Sequence, residues 1–385
     1  MAVHTVDFND RKLKLNTEPD IQKLFENIDL ENVQEIVMTS NTIGIDAAKG
    51  LADVIRRTPQ LKVAQLSSIF ISRTIDEIPP ALTHILDALL QCSLLTVLDL
   101  RHNAFGQRTV DPVVPVLSEC LSLEVVRLAN VGMDASGGRI LANALTTSAK
   151  NSAALKRTSC LRELVIGQNI LGDGSASAWA DAIRAHYESL QTLDMRRAYL
   201  REDGIIAIAS ALATCRDIRA LNFNDNVIAN SEAREGTRGW KAIADALRAA
   251  AKTLVYLDLT ACLLEGDGCD EILAVLAEEE LAQLEILKLG ANDFAEDHYA
   301  ELRELLNDKS RLSGLSRLHV DQVEDSVVVS ELKDFLLSRK CQVIIEDEDE
   351  DDHDDELIAE IGAKAGPQVN VDELAELLTG KLDLK

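Results

Sequence analysis

The nine residues LTVLDLRHN, at positions 95–103, decide the fold of this chain. They place Leu at the first, fourth and sixth positions and Asn at the ninth, which is the spacing L-x-x-L-x-L-x-x-N. In the central x-L-x-L stretch the residues alternate, so the leucines face a core while their neighbours face the other side of a short strand. The Asn can then turn the chain and hydrogen-bond neighbouring backbone, so that successive copies would form a ladder.

The same cassette recurs along most of the chain. Clear copies begin at residues 95, 161, 218 and 284, and weaker copies begin at 33, 61, 123, 190, 254 and 315. The gaps of 28 to 38 residues leave room for a full α-helix after each turn, and the apolar periodicity at 240–251 and 270–277 is helical. We therefore predict an α/β leucine-rich-repeat solenoid, a horseshoe of long ribonuclease-inhibitor-like repeats with an inner parallel β-sheet and outer α-helices.

The repeats divide the chain into three parts. Residues 1–32 are predicted to form an N-terminal cap, and 33–345 about ten repeats closed by a helix at 330–338 and an apolar segment at 343–345. Two long gaps contain insertions, at 146–158 and 230–239, which we expect to enlarge surface loops.

Residues 346–385 form an acidic tail. The run 346–356 holds ten acidic side chains and His353, so it is expected to stay solvated, either as a solubility tail or as an arm that steers a basic partner. A terminal leucine-rich segment has the spacing of a nuclear export signal, although a short amphipathic helix docked on the body gives the same pattern. Its leucines are Leu374, Leu378, Leu382 and Leu384.

Composition narrows the class of partner. Asp and Glu number 65 against 39 Lys and Arg, a formal charge of −26, which disfavours nucleic acid and anionic membranes and favours a basic protein surface. The seven cysteines form no C-x-x-C pair, so we expect reduced thiols with no metal site and no disulfides. The chain shows neither a signal-peptide core nor an apolar run of membrane-spanning length, so a soluble protein that is not secreted is expected.

The segment after residue 68 breaks the repeat rule, because Ile69 stands where the cassette has Asn. Phe70 follows, and then ISRTIDEIP at 71–79. This run resembles the signature of Ran GTPase-activating proteins, in which an aromatic residue, a small residue and an Arg precede an acidic-Glu-Ile-Pro stretch. The segments NAFG at 103–106 and GQN at 167–169 look like the same family. The resemblance spans residues 30 to about 345, and the short form is similar to the fungal-type member.

The resemblance implies that the family's loop arginine is Arg73 and that the asparagine contacting the GTPase active site is Asn130. Spacing agrees for Asn130, because the ladder position of its repeat is Val131. Both residues follow their strands on one rim, two repeats apart, which is roughly 10 Å at ~4.8 Å per strand. Alternatively, Arg73 is a surface arginine paired with a neighbouring carboxylate, and Asn130 only stabilises a turn.

Five neighbouring residues are expected to contact the partner: Ser72, Thr74, Asp76, Glu77 and Asn103. In one departure, Ile75 replaces a residue that is usually basic in the family.

By this resemblance the chain activates GTP hydrolysis by Ran, binds its GTP form through rim loops, and supports nucleocytoplasmic transport. It has no P-loop, HExxH or GxSxG motif, so we expect no enzyme of its own and no cofactor, with GTP and Mg²⁺ held by the partner. Of two routes, an arginine finger or ordering of the partner's Gln, we favour ordering by Asn130, with Arg73 shaping the loop. A monomer in the cytoplasm, in part perinuclear and excluded from the nucleus, is expected, with a Ran-binding protein and a nuclear export receptor as further partners.

Two other functions fit the repeats. A binding scaffold or inhibitor, similar to ribonuclease inhibitors, would grip a basic protein over the concave face without activating a GTPase. Those inhibitors are much richer in cysteine than this chain. A structural solenoid of the cytoskeleton or axoneme would show no dependence on a nucleotide. The motif around Arg73 argues against both.

Overall fold

The computed structural model describes residues 4–104, 106, 109–228, 238–308, 311–321, 328, 331–332, 334, 337 and 341–345. The predicted acidic run, the terminal leucine-rich segment and most of the insertion at 230–239 lie outside the described residues. Of the predicted closing helix at 330–338, only 331, 332, 334 and 337 are described, and these are helical.

Within the described residues, twelve short strands form one parallel sheet in which each strand pairs with that of the preceding repeat. The ten predicted repeat starts correspond to ten of these strands, from β3 to β13. The strands are β1 Thr5–Asp7, β3 Glu35–Val37, β5 Val63–Gln65, β6 Val97–Asp99, β7 Val125–Arg127, β8 Glu163–Val165, β9 Thr192–Asp194, β10 Ala220–Asn222, β11 Tyr256–Asp258, β12 Ile286–Lys288, β13 Arg317–Val320 and β14 Gln342–Ile345. A second, two-stranded parallel sheet pairs β2 Lys14–Leu15 with β4 Thr42–Ile43.

Helices follow the strands and pack against the helices of neighbouring repeats. A 3₁₀ turn at Leu30–Asn32 precedes β3. The helices are α1 Glu18–Phe25, α2 Ile45–Arg56, α3 Ile78–Leu89, α4 Val110–Glu119, α5 Ala135–Ala154, α6 Gly172–Ala185, α7 Glu202–Leu212, α8 Arg238–Ala250, α9 Asp267–Glu278 and α10 Glu296–Asn307. The solenoid with parallel strands on one side and helices on the other is therefore confirmed.

The repeated leucines build the core between sheet and helices. Leu95, Leu98 and Leu100 are all fully buried, as are Leu284 and Leu287 of a later repeat. Burying a side chain of this size contributes about 1.5–3 kcal/mol, so the regularly spaced leucines contribute to the driving force that stacks one repeat on the next.

Asparagine occupies the ladder position in every second described repeat, and each such side chain also serves the repeat before it. Asn103 donates from Nδ2 to the carbonyls of Leu100 and Leu66 at 2.9 and 2.8 Å, and its Oδ1 accepts from the Ile69 amide at 2.9 Å. Asn41, Asn169, Asn226 and Asn292 repeat this pattern. The intervening positions hold Ile69, Val131, Ala198 and Cys262. One Asn for two repeats satisfies the buried backbone groups of both.

One prediction needs correction. The insertion at 146–158 does not enlarge a loop over most of its length, because residues 146–154 extend α5 to 20 residues. Its Ala and Ser residues tolerate a helix, and Asn151 docks that extension by donating to the Ser118 carbonyl at 2.9 Å. The predicted N-terminal cap at 1–32 contains β1 and α1, which form a strand–helix unit at the end of the main sheet.

All seven cysteines are free, and all but the partly exposed Cys160 are buried. Burial raises the pKa of Cys92 to about 11 and that of Cys215 to about 12, so these thiols act as small apolar groups. Within the described residues, no helix is long and apolar enough to cross a bilayer.

Candidate functional site at one rim of the solenoid

The rim at the carboxyl ends of the strands carries a row of residues with left-handed backbone. Each lies immediately before a ladder position, and its φ is between 48° and 61°. The row consists of Ser40, Ser68, His102, Asn130, Gln168, Arg197, Asp225, Ala261 and Ala291. Because so many residue types adopt this conformation here, the backbone alone does not require Asn at position 130, although Asn tolerates it well.

Arg73 follows β5 and points back across the two preceding strand–helix units. Its Nε donates to Thr42 Oγ1 at 2.9 Å, and its Nη2 donates to the carbonyls of Leu15 and Thr42 at 3.0 and 3.2 Å. Nη2 also lies 2.8 Å from Asn16 Oδ1. Only 13% of the side chain is exposed. Arg73 therefore joins three successive units.

Glycine at position 44 makes room for this guanidinium. A Cβ at Gly44 would lie 3.1 Å from Nη1 of Arg73, which is closer than nine in ten real contacts of a Cβ atom. The space is therefore shaped around the Arg73 side chain, which supports an anchoring role.

The loop after Arg73 is closed by its own hydrogen bonds. Glu77 Oε2 accepts from the backbone N and from Oγ1 of Thr74, both at 2.9 Å, and Oε1 lies 3.6 Å from Nη1 of Arg73. The hydrogen bonds from Thr74 hold the pKa of Glu77 below its ordinary value, and Arg73 lowers it further. Ser72 has a positive φ of 62°. Ile71 and Ile75 are each about half exposed, at 51% and 52%, so the outward surface of this loop is partly apolar.

Asn130 follows β7 and is exposed at the rim. Its φ is 53°, and its backbone N donates to the Gly167 carbonyl at 3.2 Å. Its Nδ2 lies 3.1 Å from Nδ1 of His102, the equivalent residue of the preceding repeat. The next residue, Val131, is fully buried at the ladder position, as the spacing predicts. The backbone thus holds an amide group outward in a fixed place.

The structure brings the two principal predicted residues to one rim. Strands β5, β6 and β7 are adjacent, so Arg73 and Asn130 follow strands two apart. Ser72, Thr74 and Asp76 are exposed beside Arg73, whereas Glu77 is half-buried and bonded within the loop.

Asn103 was expected to contact a partner, and the structure corrects this expectation. It is only 1% exposed, and its amide is used by the ladder at both ends. Asn103 belongs both to the NAFG motif and to the ladder, and its hydrogen bonds in the ladder explain why Asn stands at this position.

The sequence patterns did not identify three residues that contact Asn130 or Arg73 at this rim. His102 contacts Asn130, while Asn16 and Thr42 anchor Arg73. His102 can be found by aligning the repeats, since it occupies the same cassette position as Asn130. No pattern signals Asn16 or Thr42, because they bind Arg73 from other units of the solenoid.

Three acidic side chains of the concave face are paired within the chain. Asp99 lies 2.8 Å from Nη2 of Arg101, and Glu163 lies 2.5 Å from Nε of Arg127. Asp194 pairs with Arg196. Side chains of these three carboxylates are at most 2% exposed, and burial raises the pKa of Glu163. Little of the concave carboxylate charge in this region therefore remains for a basic partner.

The described residues contain no group of three or more His, Cys, Asp or Glu side chains arranged to hold a metal ion. What the rim offers is hydrogen-bonding groups on a rigid frame. Such an arrangement can bind and orient a side chain of another protein.

Comparison with known proteins supports the resemblance seen in the sequence. No protein-family model matches the chain. Ran GTPase-activating protein 1 of Saccharomyces cerevisiae is 27% identical over 317 residues, which cover 81% of this chain and 76% of that protein. Ran GTPase-activating protein 1 of Xenopus laevis is 38% identical over 183 residues, 46% of this chain but only 32% of the frog protein. The ribonuclease inhibitor of Sus scrofa is 27% identical over 223 residues, 57% of this chain and 45% of the inhibitor.

The predicted similarity to Ran GTPase-activating proteins is thus confirmed. The match to the yeast protein extends over most of both chains. The chain spans about a third of the length of the frog relative, so what that whole protein does is not carried over from the match alone.

Proposed function

We propose that this chain is a GTPase-activating protein for a Ran-type small GTPase, which it binds in the GTP form through the rim that carries Arg73 and Asn130. The observation that carries the proposal is the outward, rigidly held amide of Asn130 on that rim. Similarity to proteins named Ran GTPase-activating protein supports the choice of partner.

The chemistry belongs to the partner. Small GTPases hydrolyse GTP slowly because the attacking water is poorly oriented and the transition-state charge is incompletely stabilised, and an activator accelerates the step by about 10³–10⁵. In this proposal Asn130 hydrogen-bonds the partner's catalytic Gln and holds it against the attacking water. The partner holds GTP and Mg²⁺, so the chain itself needs no cofactor.

Arg73 serves in this mechanism as the anchor of the rim loop. A finger must extend a free guanidinium into the partner's active site, whereas that of Arg73 donates to Leu15, Asn16 and Thr42 within its own chain. The anchored loop then presents Ser72, Thr74 and Asp76 to the partner. This geometry supports the route in which the activator orders the partner's own Gln.

The alternative is a scaffold or inhibitor that grips a basic protein over the concave face. The match to a ribonuclease inhibitor supports this alternative through the repeat architecture that the two proteins share. However, the concave carboxylates Asp99, Glu163 and Asp194 are buried in intramolecular ion pairs, and breaking such pairs is costly. The structure therefore favours recognition at the rim.

The cellular location and the further partners of the protein belong to the same proposal. As in the sequence prediction, we place the protein in the cytoplasm, in part perinuclear, as a monomer that acts in nucleocytoplasmic transport. A Ran-binding protein and a nuclear export receptor are proposed as additional partners, the latter through the segment that contains Leu374 and Leu384.

The direct experiment adds this protein to Ran loaded with GTP at a molar ratio well below one and follows phosphate release. The proposal predicts many turnovers per molecule of activator, and tighter binding to the GTP form than to the GDP form. Stoichiometric binding to both forms without faster hydrolysis would favour the scaffold and overturn the proposal.

A further inference from the structure

Asn130 and His102 are paired across two adjacent repeats. Nδ2 of Asn130 lies 3.1 Å from Nδ1 of His102, and within the described part of the chain this is the hydrogen bond that the Asn130 side chain makes. Both side chains are exposed at the rim, so the contact is not forced by burial.

The backbone holds both partners in place. The His102 amide donates to the Ala129 carbonyl at 3.0 Å, and the Asn130 amide donates to the Gly167 carbonyl at 3.2 Å. The two residues have φ of 56° and 53°, and each is followed by a residue buried at the ladder position. Only the side-chain torsions are left to decide how the Asn130 amide is oriented.

The donor and acceptor roles in this contact depend on the imidazole tautomer. In the structure Nδ2 of Asn130 faces Nδ1 of His102, and because an amide Nδ2 only donates, this arrangement needs the tautomer whose proton lies on Nε2. With Nδ2 directed at His102, Oδ1 is directed away from it. An Asn without this neighbour can turn its amide by half a rotation about χ2, because that torsion is broad and roughly two-fold.

We propose that His102 is a positioning residue for Asn130, which orients the amide so that Oδ1 faces the partner as a hydrogen-bond acceptor. The group recognised is then an N–H donor, such as the amide of a glutamine side chain. This inference rests on the proposed GTPase activation and assigns the polarity of its central contact. Pre-orientation of this kind raises the rate of the catalysed step more than it raises affinity.

The experiment is single-turnover hydrolysis of GTP by Ran with wild-type protein and with the His102→Phe and His102→Asn variants. His102→Phe fills the same space without an acceptor, and we expect kcat to fall about tenfold with KM nearly unchanged, in line with the loss of one hydrogen bond. His102→Asn places an acceptor oxygen at the same position and should retain most of the activity. Ala261→Phe, which adds an aromatic ring at the equivalent position five repeats away, is the matched control and should act like wild type.

A double-mutant cycle separates positioning from general damage. In the Asn130→Ala background, His102→Phe should have no further effect, because the amide it orients is gone. Full activity of His102→Phe, or an equal loss in both backgrounds, would overturn the positioning role while leaving the activator function intact. If the wild-type protein itself fails to accelerate hydrolysis, the proposed function fails instead.

Discussion

Asn103 and Asn130 are asparagines of neighbouring repeats, and the fold uses them in opposite ways. Asn103 is 1% exposed and makes three hydrogen bonds to the backbone of two repeats. Asn130 lies one residue before the ladder position of its repeat and is exposed. Its side-chain amide lies within hydrogen-bonding distance of the His102 imidazole. A displacement of one residue in the cassette thus separates a side chain that holds the solenoid together from one that is available to a partner.

The ladder and the rim, on which these two residues lie, differ in the same way. The ladder is buried and satisfied, so its polar groups contribute stability and little recognition. The rim is rigid because the ladder beneath it is rigid. Substitutions in the ladder should therefore change stability first, and substitutions at the rim should change activity first.

The largest expected effect on stability is that of Asn103→Ala. Three buried backbone groups, those of Leu66, Ile69 and Leu100, lose their partner, and at about 1–3 kcal/mol for each unsatisfied group the free energy of unfolding should fall by roughly 3 kcal/mol or more. Urea denaturation measures the loss. Asn130→Ala is the matched control and should lose no more than about 1 kcal/mol, because the side chain is exposed and Ala261 and Ala291 hold the same left-handed backbone at equivalent positions. Equal losses in the two variants would erase the distinction between ladder and rim.

Acid should weaken the body of the solenoid through His186. This side chain is 2% exposed, its Nε2 lies 3.0 Å from the Leu145 carbonyl, and burial lowers its pKa to about 4. The unfolded chain, with a pKa near 6.5, binds the proton first as pH falls. Stability is therefore complete above about pH 6.5 and is lost progressively towards pH 4, by up to ~3 kcal/mol.

The difference between wild type and His186→Gln isolates this effect, because Gln can still donate to Leu145 but does not titrate. We expect the free energy of unfolding of the variant to depend less steeply on pH between 6.5 and 4. Some dependence should persist, since burial also lowers the pKa of His319, to about 3. Parallel pH profiles for the two proteins would contradict this assignment.

Arg73 gives a sharper test, because it joins the rim to the body. If it anchors the loop, Thr42→Val should reproduce part of the Arg73→Ala defect, since Thr42 Oγ1 accepts from Arg73 and donates to the Ile71 carbonyl at 2.5 Å. We expect each variant to lose about 1–2 kcal/mol of stability together with several-fold of the GTPase-activating rate. Thr42→Ser keeps the hydroxyl and should behave like wild type. A finger would instead leave Thr42→Val fully active.

The smallest effect is expected at Ile75, which is 52% exposed on the same loop. Restoring the family's basic residue with Ile75→Lys should leave stability and kcat unchanged. It should alter KM by less than about tenfold and make KM depend on salt, as rim charges do. Hydrolysis assays at two salt concentrations measure this, and a large change in kcat would show that residue 75 acts in the chemistry.

How far the sequence predicts these features depends on how local they are. The repeat starts and the exposure of Asn130 follow from spacing within single cassettes, because one leucine register dictates which side chains face the core. The inward direction of Arg73 could not be predicted, since Leu15, Asn16 and Thr42 lie in other units and carry no pattern of their own. The helix formed by 146–154 was taken for a loop because Ala and Ser suit both. Asn103 fitted two patterns, and only its burial decides between them.

The most direct test of the account is the single-turnover rate of GTP hydrolysis by Ran in the presence of wild-type protein or Asn130→Ala, with thermal unfolding of both proteins measured in parallel. We predict that Asn130→Ala loses at least about 100-fold of the acceleration, comparable to the removal of one group that stabilises a transition state, while its melting temperature stays within a few degrees of wild type. An Asn130→Ala variant that activates Ran as well as the wild type does would contradict the claim that this rim asparagine acts on the partner.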